Sequence, residues 1–262
     1  MNTLPILNYH GIEGCNGRYS WTDEERPYVI PVSAFEAQMM QVTQKGFSSL
    51  DLKELEEWFE GKDYQRPIVL TFDDGYVSHY EQVLPCLRQM KMKGIFFISA
   101  AWIGKKAQMS WGQLKELLSE GFEIGSHGLN HVPLTHLSEK ELREELKHSK
   151  ETLEQQLGVK VTSFSVPRGF YDRRIRTTAV ECGYRFVFTS QFDLNQKNED
   201  RLCLRRLVVK KGLSLNEFSR MIEGELGLKR NWERLKAMTR SFISPPLYDF
   251  LAGIKRSMKV EG

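Results

Sequence analysis

PIVLTFDDGYVSHY, residues 67–80, carries an apolar run straight into two adjacent carboxylates and a glycine. An unbroken apolar run of this length reads as a strand buried on both faces, the kind found in parallel sheets covered by helices. Neighbouring acids repel, and neither is buried cheaply without a partner. Asp73 and Asp74, placed at the end of such a strand, therefore call for partners from elsewhere in the chain.

The sequence on either side repeats the same grammar. LPILNY (4–9) is a short buried strand that delivers His10 and Gly11 to a loop, and residues 12–30 have no clean period and read as a long loop. Pro31 and Ser33 open a helix that stops at a glycine, and Ser49 and Asp51 introduce a second over LKELEEWFEG. After the 67–72 strand come a helix over 78–91, the strand GIFFISA (94–100), the helix SWGQLKELLSE (110–120) and the strand FEIGS. Ser138 with Glu141 forms a capping box for a long helix ending at Gly158. VTSFSV, a helix over 174–182 and YRFVFTS carry the alternation to residue 190.

Strands alternating with helices predict an α/β fold with parallel pairing, either a β/α barrel or a doubly wound sheet. The barrel fits better. Polar residues recur at the carboxyl ends of several strands, at His10, Asp73–Asp74, Ser126–His127 and Pro167–Arg168, and barrels assemble their sites at those ends.

Bulk composition is that of a soluble globular protein: 262 residues with 37 basic against 34 acidic side chains. That balance, with no basic cluster interleaved by aromatics, gives no warrant for nucleic-acid binding. The amino terminus has no basic leader, so no signal peptide is expected, and no run is long enough to cross a bilayer. The four cysteines, Cys15, Cys86, Cys182 and Cys203, form no CxxC pair and read as free thiols, which favours the cytoplasm. Residues 1–228 form the expected catalytic domain. From 229 to 262 there are eight Lys/Arg against three acids, with aromatic and aliphatic residues interspersed. The preferred reading is a helical extension packed on the barrel with solvated charges; the other is an amphipathic surface that makes peripheral membrane contact.

SHGLNH, residues 126–131, supplies the partners. His127 and His131 stand four apart, on one face of a helical turn or converging in a tight loop. Two imidazoles and a carboxylate suit a divalent cation such as zinc, and a bound cation lowers the cost of keeping two ionised carboxylates together. HxxxH alone is weak; an acid pair at one strand end with a histidine pair after a later strand is far more specific.

On these residues the chain resembles the polysaccharide deacetylase family, the NodB-homology carbohydrate esterases. TFDDG (71–75) and SHGLNH (126–131) resemble the family's first two motifs, and ILNYHGI, GIFFIS and MSWGQLKELLSEGFEIGSH follow its phrasing, with the likeness covering about residues 4–210. The resemblance implies a distorted (β/α)7 barrel and removal of an acetyl group from an N-acetylated carbohydrate. It implies Asp73 as general base, and Asp74, His127 and His131 as ligands of a divalent metal, with zinc favoured over cobalt or nickel. By analogy with the third motif, the backbone of Arg168 would face the developing oxyanion.

Two departures stand out. The family's late Leu-any-His triplet, which supplies a proton to the leaving group, corresponds here to Leu204–Arg205–Arg206, and arginine is a poor proton donor. In FSVPRGFYD (164–172), Ser165 occupies the position of an arginine that braces the base, and Arg168 that of an aromatic. Arg168 or Arg206 is expected to reach Asp73 from another direction, and His10 is the first candidate for the acid. The rival readings are hydrolysis of a non-sugar amide or cyclic imide, and a carbohydrate-binding or assembly protein without turnover.

Overall fold

The computed structural model describes residues 3–14, 19–227 and Arg230. The chain divides into Met1–Glu225 and Leu226–Gly262, and the architecture below is that of the first unit. Arg230 apart, the basic 229–262 extension lies outside the described residues, as does Cys15.

Seven parallel strands form the frame: β1 (Ile6–Tyr9), β2 (Pro67–Phe72), β3 (Ile95–Ile98), β4 (Glu123–Ser126), β5 (Ser163–Ser165), β6 (Phe186–Phe188) and β7 (Leu207–Val208). They lie in the order β6-β5-β4-β3-β2-β1-β7, with the short strand Ser48–Ser49 paired to the start of β2. Leu204, just before β7, bridges Phe188 of β6 in parallel, so the sheet curls until its two edges meet as a distorted barrel. All six residues of β2 are buried, as an apolar run between helix layers requires, and Pro67 sits at the strand start, where its missing N–H costs least.

The helices are α1 (Val32–Gln44), α2 (Leu52–Phe59), α3 (Leu84–Gln89), α4 (Trp111–Ser119), α5 (Glu139–Leu157), α6 (Arg173–Glu181) and α7 (Leu215–Ile222), and all but α1 and α3 start at a capping side chain. Asp51, Ser110, Ser138 and Ser214 each accept from the third helical N–H, with Glu54, Gln113, Glu141 and Glu217 completing capping boxes. Gly158 ends α5 in the left-handed region at φ 71°. The helix expected over 78–91 begins instead as a π-helical turn, His79–Val83. Pro85 follows within α3, lacks an N–H and crowds the carbonyl four residues back, and the wider turn relieves that conflict.

Val69, Ile95, Phe97, Phe186, Phe188 and Leu204 belong to one buried cluster. Tyr9, Phe35, Phe72 and Phe96 form a second aromatic stack, with Tyr9 over Phe72 at 5.5 Å and Phe72 over Phe96 at 4.8 Å. Each buried ring contributes about 2 kcal/mol of transfer free energy. No helix among the described residues is long and apolar enough to cross a membrane.

Register sets the level of the site. Tyr9 pairs with Phe72, Ile98 with Ser126, and Ser126 with Phe164. The next residues, His10, Asp73, Ser99, His127 and Ser165, are thereby placed together at the carboxyl end of the barrel.

Candidate metal centre and catalytic site

The first acid is held by an arginine from two strands away in the sheet. Arg206 precedes β7, and Leu207 pairs with Leu7, so its Cα lies several residues below the level of Asp73. Its side chain is fully buried and grips the carboxylate with both ends of its fork, NH1 to Oδ1 and NH2 to Oδ2, each at 2.8 Å. Nε donates to the Thr189 carbonyl at 2.9 Å, and NH2 also donates to the Ser165 hydroxyl at 2.8 Å. That hydroxyl donates to Asp73 Oδ2 at 3.2 Å. Burial pushes the Asp73 carboxyl up, but Arg206 and His127 outweigh it and hold the group down at about 2.

The second acid turns the other way. Asp74 and Gly75 both have left-handed backbones, at φ 76° and 75°, which reverses the chain directly after the strand. Asp74 Oδ1 then faces two imidazole nitrogens, His127 Nε2 at 3.3 Å and His131 Nε2 at 3.1 Å. Burial opposes its ionisation, yet the two histidines lower its pKa well below the carboxylate range. His127 shows the reverse balance: burial disfavours its cation, and Asp73 and Asp74 raise its pKa all the same. The field here is negative, the sign that collects a cation.

The donor chemistry fits a metal. One ligand atom from each of Asp74, His127 and His131 lies within 4.8 Å of the others. Donors about 2.1 Å from a tetrahedral zinc ion stand about 3.4 Å apart, so these need only small adjustments. His127 Nδ1 donates to the Ser165 carbonyl at 2.8 Å, which leaves Nε2 with its lone pair toward the cluster. The two histidines converge through a loop, with Gly128 at φ 78° and His131 at φ 58°, rather than through a helical turn. Trp102 packs on His131 with ring centroids 4.7 Å apart and so braces that imidazole.

His10 lies within this field. Burial lowers its pKa, while Asp74 and Asp73 pull it upward. Its ring meets Tyr28 at 5.1 Å, and its buried Nδ1 has no hydrogen-bond partner. Arg206 is the arginine that reaches Asp73; Arg168 is exposed, in a left-handed turn at φ 56°. Arg205 points away, bonding to Glu199 and the Leu194 carbonyl. Among the lesser candidates, His79 is fully buried and donates to the His10 carbonyl at 2.7 Å, Tyr9 donates to Gln38 within the core, and His136 and His148 are exposed. Sequence reasoning marked Ser165 only as the place of a missing arginine; its hydroxyl and carbonyl together tie Asp73, Arg206 and His127 into one network.

A curled parallel barrel with an Asp-His-His cluster beside a second, arginine-held carboxylate defines the NodB-homology class. Residues 60–187 match the polysaccharide deacetylase family, and the chain resembles its members in sequence and in fold. The Bacillus subtilis protein YxkH is 28% identical over 222 residues, 84% of this chain and 76% of its own length. The peptidoglycan-N-acetylglucosamine deacetylase of Bacillus cereus is 34% identical over 133 residues, 50% of this chain and 60% of that protein. Among solved structures, the Streptococcus pyogenes deacetylase PplD, in complex with acetate, superposes with a TM-score of 0.76 at 22% identity, covering 84% of this chain and 98% of that one. The family is generally metal-dependent and acts on N-acetylated carbohydrates.

Proposed function

We propose that this protein hydrolyses the acetamide of an N-acetylated sugar, using a divalent cation, zinc by preference, held by Asp74, His127 and His131. The observation that carries the reading is the convergence of those three donors beside a carboxylate that is buried, ionised and not itself a ligand. When bound, such a cation polarises the amide carbonyl and acidifies water.

The chain's own residues supply the rest. Asp73, kept ionised by Arg206, accepts the proton of the attacking water. A carboxylate this weak in basicity suits an already acidified water, and its fixed fork with Arg206 aims it without reorganisation. The Arg168 N–H, three residues beyond Ser165, is the donor assigned to the developing oxyanion. His10, at the same level of the barrel as Asp73, is assigned to take that proton from Asp73 and pass it to the departing amine.

The test is acetate release from N-acetylglucosamine oligomers by chain loaded with zinc, cobalt or nickel. Asp74→Ala is expected to lose bound metal and activity together. Asp73→Asn is expected to keep its metal and lose about a thousandfold or more in kcat, within the range general-base removal commands. An Asp73→Asn variant with full turnover removes Asp73 from the role of base, and absence of acetate with every metal removes the deacetylase reading.

A further inference from the structure

Helix α5 reads as a polar surface helix, yet two of its residues turn inward against the loop that carries the histidines. Glu145 is 5% exposed and Ser149, one turn on, is fully buried. Glu145 Oε1 accepts from the Asn130 backbone N–H at 2.6 Å, and Oε2 accepts from Asn130 Nδ2 at 2.9 Å. Asn130 immediately precedes His131. Ser149 Oγ donates to the Gly128 carbonyl at 2.9 Å and lies 2.7 Å from Ser126 Oγ, which accepts from Gly128 N at 3.2 Å. The residues on both sides of His127, and the one before His131, are thus bound to α5 directly or through one hydroxyl.

We propose that Glu145, assisted by Ser149, is a positioning residue for metal capture that fixes the 127–131 backbone so that both imidazoles face Asp74. The inference rests on the reading that Asp74, His127 and His131 hold a divalent cation. The loop needs such a clamp, because a histidine in the left-handed region costs on the order of 1 kcal/mol that other contacts must offset. The chemistry also selects an acid. Asn130 presents two donors, and a carboxylate has an acceptor for each, whereas a glutamine would set an amide NH2 against one of them. A buried carboxylate is costly unless hydrogen-bonded, so a position that needed only packing would favour an apolar residue. The approach is close: Gly128 takes the left-handed conformation at φ 78°, and a Cβ there would stand a tight 3.1 Å from Glu145 Oε1. On its other side the loop is tied to the segment after β3, through Ala100 N to the Gly128 carbonyl at 3.1 Å and Ala101 N to the Leu129 carbonyl at 2.9 Å.

The experiment measures Zn2+ affinity of the full chain by competition with a chromogenic chelator, together with the visible absorption band of the Co2+ form. Glu145→Gln is expected to weaken Zn2+ binding about tenfold or more, the scale on which partners of metal ligands act, and to shift the Co2+ band. Adding Asn130→Asp restores the side-chain bond in reversed polarity, while the backbone N–H keeps an amide oxygen as acceptor, and is expected to return affinity to within about threefold of wild type, an outcome that general destabilisation does not produce. Asn130→Ala keeps the backbone bond, is expected to lose about threefold, and serves if Glu145→Gln does not fold. Single-variant affinity within twofold of wild type, or a double variant no better than Glu145→Gln, overturns the inference while wild-type binding stands. A wild-type chain that takes up no Zn2+ overturns the metal reading and this inference with it.

Discussion

Asp73, buried, and Glu123, partly buried, are acids at opposite ends of the barrel, and their environments push their acidities in opposite directions. Asp73 follows the end of β2 and is held at about 2; Glu123 opens β4 and is raised to about 7. Burial pushes both upward. Asp73 has a dedicated, fully buried guanidinium fitted to both its oxygens. Glu123 accepts one recorded bond, from the Leu52 backbone N–H at 2.7 Å. The nearest cation, Lys93, gives its closest contacts to Asp51 at 2.8 Å and Glu54 at 2.7 Å. The difference teaches that withdrawal from water raises an acid in this fold toward neutrality, and that Arg206 is what keeps Asp73 ionised.

The comparison breaks most sharply at Arg206. Arg206→Met is expected to destabilise the chain by about 3–5 kcal/mol, because it leaves an unpaired carboxylate in a dry site. Urea unfolding measures it. Combining it with Asp73→Asn is expected to recover most of that loss while leaving the protein inactive, since the pair is then neutral on both sides. A single variant that unfolds within 1 kcal/mol of wild type would show that Asp73 is ionised by something other than this fork.

Ser165→Ala is a smaller perturbation of the same acid. It removes the hydroxyl between Arg206 and Asp73 but keeps the carbonyl that orients His127. A loss of about 2 kcal/mol is expected from the stranded polar groups, with metal affinity unchanged. Equilibrium unfolding and chelator competition, run side by side, read the two arms separately. Weakened metal binding would mean that the hydroxyl, and not only the carbonyl, sets the histidine.

How much of this was legible in the sequence follows the range of the interactions. The capping box at Ser138, the helix start at Asp51 and the apolar run of β2 are local signals, and their alternation along the chain pointed to the barrel; the boxes at Asp51 and Ser110 emerged with the structure. The two acids are adjacent and the two histidines only four apart, which made the metal set readable before any coordinates. The partner of Asp73 was left open between Arg168 and Arg206, because the contact spans 133 residues and the arginine enters from below its strand's site end. Periodicity gives residue faces but not how far a long side chain reaches along a barrel interior. Glu145 was invisible for a different reason. It is one of several glutamates in a polar helix, and only the path of the histidine loop distinguishes it from its neighbours. The π turn at His79–Val83 stayed hidden because its pattern is that of an ordinary helix, with Pro85 the one residue that argued otherwise.

The smallest expected effect belongs to the other end of the barrel. An acid whose pKa is raised on folding is bound to its proton more tightly in the native state. Between the ordinary carboxyl value of 4.5 and about 7, the folded chain therefore holds more protons at Glu123 than the unfolded chain does. Its contribution to stability falls as pH rises through that window, and the full cost is present above it. Glu123→Gln keeps an acceptor for the Leu52 N–H and removes the titration. The variant is expected to match wild type near pH 4.5 and to exceed it by on the order of 1–2 kcal/mol at pH 8, read as a higher melting temperature. Asp73 lies at the opposite end, and Arg206 holds it ionised throughout this range, so the contribution of that pair is expected to be flat over the same pH span. If Glu123→Gln and wild type instead keep a constant offset from pH 4.5 to 8, Glu123 is ionised on both sides of folding, and the contrast between the two acids reduces to a difference in packing.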